Sequence, residues 1–434
     1  MRRILYLGFT IFTILLVPLS AHGEVYTLDK CIDTGLQNNS KVIAARNNFD
    51  ASKWGVYSAY GNILPSISIS ANRQTSWSGI GVTYIEGIPF ATGGKVTHYG
   101  GSLSLSANYG GLGISNYANI TQSRAQKNST YYGFIGAQND LVLNIKQAYY
   151  NVIQTKMLVD VSQDAVKRAE EQLKIAQSRY DLGSASLSDV LKAKVQRSNA
   201  QLDLISAQNN YRNGKSNLQY VMGVDITADF EIDEQYPQNT MNITYDQALN
   251  ESLSRNPAFR KARFDLSAAK AQRWSARTSY LPSIAFSLSH STSAGELNRL
   301  FDFKGSGAGY YYGIGLSLNI FNKLTDTYNL VSANKAVNTS QENLINEKNS
   351  VNLQVQQAYL NVQMNEEALK VNEEAVASAQ EDWNIVKEKY NLGAATMLDV
   401  LDAEVSYKQA QINQVQAQFN YNIAVATLEN VMGR

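Results

Sequence analysis

The chain contains one unit written twice. Thr27 to Ser66 lies over Thr244 to Ser283 at a single constant offset, with Thr27/Thr244, Asp29/Asp246, Arg46/Arg263, Ala51/Ala268 and Leu64-Pro65-Ser66/Leu281-Pro282-Ser283 in register. At a slightly shorter offset, Gln147-Ala148-Tyr149 matches Gln357-Ala358-Tyr359 and Leu182-Gly183 matches Leu392-Gly393. Asp189-Val190-Leu191 likewise matches Asp399-Val400-Leu401, and Val221-Met222-Gly223 matches Val431-Met432-Gly433. A self-match of this extent means two copies of one supersecondary unit, so whatever fold the first half takes, the second half repeats.

Each copy opens with a helix, Leu28 to about Asn62 and Tyr245 to about Tyr280, the second interrupted at Asn256-Pro257. Two strand patterns follow. Ile67, Ile69 and Ala71 alternate with serines and Asn72; Leu103, Leu105 and Ala107 alternate with serines and Asn108. In the second copy Ile284, Phe286 and Leu288 alternate with serines, and Ile314, Leu316, Leu318 and Ile320 with Gly315, Ser317 and Asn319. Period two with one apolar and one small polar face marks strands. Runs of about ten residues span a bilayer when tilted. The polar face carries few charges, and four strands are too few for a sandwich beside so much helix. A membrane β-barrel is therefore expected, with Trp77 to Lys95 and Thr292 to Gly309 as Gly-rich polar loops. The 26 tyrosines of the chain suit the aromatic girdles of such a barrel.

Proline-free stretches come next, Gly113 to Val221 and Lys323 to Arg434. Ile145, Val152, Val159, Val166, Leu173 and Tyr180 recur every seven residues, as do Val355, Val362, Leu369, Val376, Trp383 and Tyr390. Ala148, Thr155, Ser162, Ala169 and Ala176 run beside the first series. Sustained heptads predict coiled-coil packing, and small residues on a seam let helices approach closely. Each stretch breaks once, at Leu182-Gly183 and Leu392-Gly393, where glycine supplies a C-cap. Ser186-x-x-Asp189 and Thr396-x-x-Asp399 then restart a helix with capping-box spacing. A descending arm from Ile114 to Leu182 reaches on the order of 100 Å at 1.5 Å per residue, far beyond a bilayer.

The ends set the compartment. Arg2-Arg3, an apolar run from Ile4 to Val17 and Ala21-His22-Gly23 read as a secretory signal peptide over residues 1–23. Its removal takes the formal charge from +1 to −1, which points away from nucleic acid. The only cysteine, Cys31, lacks a lipidation context and reads as a buried helix residue. The two histidines outside the signal, His98 and His290, have no acid or nucleophile at catalytic spacing, and no phosphate-binding glycine loop opens a helix. An enzyme is not expected, and neither is a cofactor or a resident metal. The organisation expected is residues 24–223 as the first repeat, 224–243 as a linker and 244–434 as the second repeat.

Four transmembrane strands cannot close a barrel, and open edges are not viable in lipid. Strand count alone permits a dimer of eight strands or a trimer of twelve. The collinear repeats, the Leu-Pro-Ser strand starts and the hairpin ends Tyr180-Asp181-Leu182-Gly183 and Tyr390-Asn391-Leu392-Gly393 resemble the TolC-type outer-membrane efflux protein family. The resemblance covers essentially the whole mature chain. It implies a homotrimer in outer-membrane lipid, with a twelve-stranded barrel continuing into an α-helical periplasmic tunnel. It also implies passive export, for drug efflux, metal efflux or type I secretion, with an inner-membrane transporter and a periplasmic adaptor as partners. Adaptor docking falls to the tips at Leu182, Gly183, Leu392 and Gly393. The periplasmic constriction falls to Asp189 beside Ser188 in the first copy and to Tyr390, Asp399 and Asp402 in the second. The arginine latch of well-known members has no equivalent at Ala395, so closure by that latch is not expected. Asp189 and Asp399 are equally explained as helix caps. Asp402 lies beyond the cap and has Lys192 as its counterpart, so it is the stronger pore candidate. The competing reading is a secreted coiled-coil adhesin, which the heptads allow and the bilayer-length strands oppose.

Overall fold

The computed structural model describes residues 25–227, 230–233, 243–299, 302, 304–305 and 307–434. The signal segment and most of the 224–243 linker lie outside the described residues. In chain order the elements are β1 (Val25–Tyr26), α1 (Leu28–Asn38), α2 (Ser40–Gly61), β2 (Ser66–Ile85) and β3 (Ile88–Tyr109). The first long hairpin is α3 (Ile114–Asp181) and α4 (Leu187–Met222), followed by β4 (Glu231–Ile232). The second copy supplies α5 (Tyr245–Arg255), α6 (Pro257–Arg277), β5 (Ser283–Ala294), β6 (Ala308–Ser317), α7 (Thr325–Asn391) and α8 (Met397–Met432). The repeat is thus a repeat of structure. The chain packs as two compact units: one holds β1, most of α1, α3 from Ile145 onward, α4 and β4, and the other holds the rest.

In the first unit, α3 buries most of its small-residue seam along with Ile145 and Val152 of the apolar series. Ala148, Ser162, Ala169 and Ala176 are all buried, as are Ala193 and Ala200 of α4. Gly214 brings α4 onto α3: a Cβ there would stand 3.3 Å from Asn151 Oδ1 and Thr155 Oγ1. β1 pairs in parallel with β4 through Val25↔Glu231 and Tyr26↔Ile232, and Tyr26 meets Phe230 edge-on at 5.4 Å. Tyr149 donates to Asp233 O at 2.6 Å. Cys31 is fully buried, and loss of hydration pushes its thiol up to about 12. A thiol held neutral in this way is a packing residue, as its sequence context indicates.

In the second unit, the four long strands form one antiparallel sheet in the order β2-β3-β5-β6. The register puts like with like. Ile67, Leu105, Leu288 and Tyr312 form one cross-strand row, and Ile69, Leu103, His290 and Tyr310 the next. On the other face serines pair hydroxyl to hydroxyl, Ser66 with Ser106 at 2.9 Å, Ser68 with Ser104 at 2.8 Å and Ser70 with Ser102 at 2.7 Å. The apolar face is bare: Ile67 is 73 % exposed, Ile314 79 % and Tyr312 81 %. A folded chain that leaves such a face open has not finished burying it. Below the sheet, α5, α7 and α8 close a core of Ala248, Val351, Val355, Ala358, Val362, Ala424, Val425, Leu428 and Met432.

The strand-to-helix corner is built the same way in both copies. Leu112 and Leu324 take left-handed backbone, φ 56° and 63°, which L-residues avoid. Gly111, at φ 54°, stands so close to Thr278 that a Cβ would lie 2.5 Å from its Cβ. The Leu112 N–H donates to Pro282 O at 2.9 Å, tying the first corner to the start of β5.

Three expectations need correction. Trp77 to Lys95 is not a loop: β2 and β3 continue as paired strands to Ile85 and Ile88, past a register shift between Ser78 and Gly81. The connection is only Glu86-Gly87, both at positive φ, which is the backbone of a tight two-residue hairpin. Val82, Thr83, Tyr84 and Ile85 are strand formers, and they outweigh the glycines. In the second copy part of the predicted loop is also strand, to Ala294 and from Ala308, while β6 stops at Ser317, so Leu318 and Ile320 lie beyond it. The first-copy helix is also broken. Asn39, the repeat partner of Asn256, caps α2 with its side chain accepting from Lys41 and Val42, just as Asn256 accepts from Ala258 and Phe259. Proline made the second break visible in the sequence, whereas Asn39 alone was not enough.

The Asn256 amide also donates to Val431 O at 3.1 Å, tying the cap to the end of α8. Asn256→Ala should cost roughly 2 kcal/mol, because a half-buried carbonyl loses its donor along with the cap. Denaturant unfolding of this variant in detergent checks this, and a loss of no more than about 1 kcal/mol, the worth of a cap alone, would remove the Val431 link.

Candidate functional site

The two hairpin ends are built to one plan. At the end of α3, Gly183 N–H donates to Tyr180 O at 2.9 Å and Ser184 N–H to Arg179 O at 2.8 Å. At the end of α7, Gly393 donates to Tyr390 O at 3.0 Å and Ala394 to Lys389 O at 2.8 Å. Crossed bonds of this kind with a left-handed residue between them form the Schellman stop, and φ of 75° and 79° makes that residue glycine. No atom stands near enough to either glycine to exclude a side chain, so backbone conformation alone demands it. The stop turns the preceding leucine outward: Leu182 and Leu392 are each 82 % exposed.

The return helices start on reciprocal caps. Ser186 Oγ accepts from Asp189 N–H, and the Asp189 carboxylate accepts from Ser186 N–H, both at 3.2 Å. In the second copy Asp399 N–H donates to Thr396 Oγ1 at 3.2 Å, while Asp399 Oδ2 accepts from the Thr396 N–H and hydroxyl at 2.7 Å each. The Thr396 N–H, followed by its hydroxyl, holds the Asp399 carboxyl below its ordinary range. The cap reading of Asp189 and Asp399 is therefore correct for their local role. Asp402 sits one turn further along α8, exposed, with no hydrogen bond or ion pair among the described residues. Lys192, its first-copy counterpart, is also exposed, so the difference in charge between the copies faces solvent.

Tyr390 is only 5 % exposed, whereas its counterpart Tyr180 is 41 % exposed. About two turns back along α7, the second hairpin also carries aromatic packing. Trp383 stacks on Tyr407 with ring centroids 5.8 Å apart, and the Lys387 ammonium lies 5.1 Å from the Trp383 ring. The first hairpin has Leu173 and Arg197 at the matching positions. It opens instead into a groove of about 580 Å³ lined by Glu170, Leu173, Lys174, Leu191, Lys194 and Arg197. The sequence reading missed this groove, because its cations come from two helices and converge only once α4 folds back on α3. Ala395 is half-buried, with no polar atom to serve as a latch.

Nothing at either hairpin pairs a nucleophile with a base. What the ends offer is exposed leucine, carboxylates at helix starts and, on the first hairpin, a groove lined by three cations and one acid.

Relatives carry the same architecture. The chain resembles the outer membrane protein TolC of Escherichia coli, 24 % identical over 312 residues, which is 68 % of this chain and 62 % of that protein. It thus spans less than two thirds of that relative's length. A probable efflux pump outer membrane protein, TtgC of Pseudomonas putida, is 22 % identical over 401 residues, 88 % of this chain and 78 % of TtgC. Among solved structures, the CmeC outer membrane channel of Campylobacter jejuni superposes with a TM-score of 0.82 at 18 % identity, covering 94 % of this chain and 85 % of CmeC. The MtrE outer membrane channel of Neisseria gonorrhoeae, in its open state, gives 0.78 at 20 % identity, covering 94 % and 88 %. The sequence profile of the outer membrane efflux proteins matches residues 31–224 and 248–434, one match for each repeat and together most of the chain. The chain therefore belongs to the outer membrane efflux protein family, the TolC-type, non-enzymatic channel proteins of the Gram-negative outer membrane.

Proposed function

We propose that the protein is the outer-membrane exit duct of a tripartite export system, working as a homotrimer. The observation that carries the proposal is the sheet. It has four strands, an exposed apolar face, a serine-lined opposite face, and β2 and β6 as its two edges, each paired on one side only. Three copies join edge to edge into a barrel of twelve strands, with the apolar face in lipid and the serines around a wet lumen. The long hairpins continue from the barrel through the periplasm. Transport is passive in this reading, with the inner-membrane transporter supplying the energy. A secreted fibre would have no use for a bare apolar sheet of this span.

The periplasmic adaptor docks on the hairpin tips. Leu182 and Leu392 are the apolar groups the Schellman stops hold outward, and the cationic groove of the first hairpin adds a second contact for an acidic partner surface. The constriction forms where the hairpins of three copies meet, with Asp402 and Asp399 facing the axis and Tyr390 packed behind them. Asp399 carries a cap as well as a charge, and Asp402 carries a charge alone.

Three outcomes follow. Purified in mild detergent, the particle should have the mass of three chains, and a stable monomer by light scattering would sink the proposal. Leu182→Asp with Leu392→Asp should abolish export and adaptor crosslinking while leaving trimer mass and melting temperature unchanged, since neither side chain is buried. Persistent crosslinking would put docking elsewhere. In planar bilayers the wild-type channel should prefer cations and be blocked by trivalent cations from the periplasmic side. Asp402→Asn should lower the preference by about fivefold, the factor for roughly 1 kcal/mol of lost attraction. Asp399→Asn should also loosen the start of α8. Its depressed carboxyl makes that cap most stabilising above the ordinary carboxylate range, and the contribution fades as pH falls through the folded-state value. Unchanged block in Asp402→Asn would remove that residue from the pore.

A further inference from the structure

The four long strands contain only two formally charged side chains, Arg73 and Lys95, and both are cations. Neither is on the serine face, where water would accept a charge at little cost. The register places them on the apolar face: Arg73 lies opposite Tyr99, two residues beyond the Ala71–Gly101 pair, and Lys95 lies opposite Trp77. The rows before them are apolar and aromatic, from Tyr109, Ile284 and Leu316 to Ile69, Leu103, His290 and Tyr310. A run from Tyr109 to Gly101 is about 27 Å of strand at 3.4 Å per residue, or roughly 20 Å of height at barrel tilt, close to the hydrocarbon band of an outer membrane. Arg73 therefore stands at the far edge of that band. Lys95 stands about 10 Å further out, in the layer of lipid headgroups.

The surroundings fit an interface. The Arg73 guanidinium lies 5.7 Å from the centre of the Tyr99 ring. The His290 ring stacks flat on Tyr310 at 3.9 Å, with its Nδ1 2.8 Å from Gly309 O. Trp77 is 77 % exposed. Aromatic rings collect at the membrane–water boundary. The two cations have no carboxylate on their own strands; the hairpin's one acid is Glu86 in the turn. Neither makes an ion pair among the described residues. A cation at the rim of a lipid-facing surface costs little there and stands within reach of anionic headgroups.

We propose that Arg73 and Lys95 form a docking face for the phosphorylated glycolipid of the outer leaflet, with Tyr99 and Trp77 packing against its sugar and acyl boundary. This rests on the barrel reading above and deepens it by naming the lipid partner. Arg73 takes a phosphate at the acyl boundary, where its planar fork and the ring beneath it orient the contact. Lys95 takes a second anionic group about 10 Å further out, as a point charge. A glycolipid bearing separated phosphates fits this spacing better than one with a single headgroup charge.

The full-length protein and Arg73→Gln/Lys95→Gln are reconstituted in phosphatidylcholine nanodiscs titrated with bisphosphorylated lipid A or its dephosphorylated form. Native mass spectrometry counts the lipid retained. The wild type should prefer the bisphosphorylated lipid, and the double variant should bind it on the order of tenfold more weakly. His98→Gln, on the serine face, should match the wild type. Equal retention by wild type and double variant would overturn the assignment, as would equal retention of the two lipids. Displacement by inorganic phosphate at matching concentration would reassign the pair to free anions and overturn it equally. The same spectra report particle mass. Loss of the trimer in the wild type defeats the channel reading itself, whereas an intact trimer without lipid preference defeats only the docking face.

Discussion

Backbone hydrogen bonding in lipid governs the rest of this structure. Every N–H and C=O of a membrane strand needs a partner, because hydrocarbon offers none and each orphan costs several kcal/mol. Within one chain, β3 and β5 are paired on both sides, while β2 and β6 are paired on one. The exposed apolar face and the two open edges are one deficit, and a single chain cannot meet it. The need for further copies follows from that deficit more than from any side chain, and the family resemblance is what points to three. The serine face belongs to the same solution. Hydroxyl pairs of 2.7 to 2.9 Å bridge the strands and still leave acceptors for water.

The helices solve a different problem, which is to carry a duct across an aqueous space without a thick core. Small residues do this by letting backbones approach. Ala148, Ser162, Ala169 and Ala176 are buried on α3, as are Ile145 and Val152 at the start of the neighbouring heptad series, while Val159, Val166 and Leu173 further along are only partly covered. The left-handed corners at Leu112 and Leu324 are where the two regimes meet. Each costs on the order of 1–2 kcal/mol, and both copies keep it because a strand must become a helix within a few residues there.

The duplication also shows what each copy is free to change. Caps, stops and corners are shared, because backbone geometry leaves little choice. The copies differ in Asp402 against Lys192, in buried Tyr390 against half-open Tyr180, and in Trp383 with Tyr407 against Leu173 with Arg197. One hairpin packs aromatic rings where the other gathers cations, so the two copies share a backbone plan and differ in the chemistry they present.

Periodicity was enough to read much of this chain. Heptads without proline located α3 and α7 to within a residue or two, and the Leu-Gly breaks and Ser/Thr-x-x-Asp boxes located both turns, because caps and helical repeats are local and written in consecutive residues. The cap role of Asp189 and Asp399 was legible for the same reason. Long-range pairing decided the rest. The segment from Trp77 to Lys95 looked like loop until β3 was laid beside β2, because paired backbones make strand of glycine-rich residues that alone would not hold it. The break at Asn39 needed the fold to bend the chain where no proline marks it. The burial of Tyr390, against the half-open Tyr180, is not written in local sequence, and the groove beside Arg197 exists only because α4 returns along α3. In the sequence Lys95 ends the segment expected as loop and Arg73 lies before it, with nothing to join the two. Only the sheet register sets both on the apolar face, since side-chain direction in a strand depends on pairing and parity that local composition does not carry.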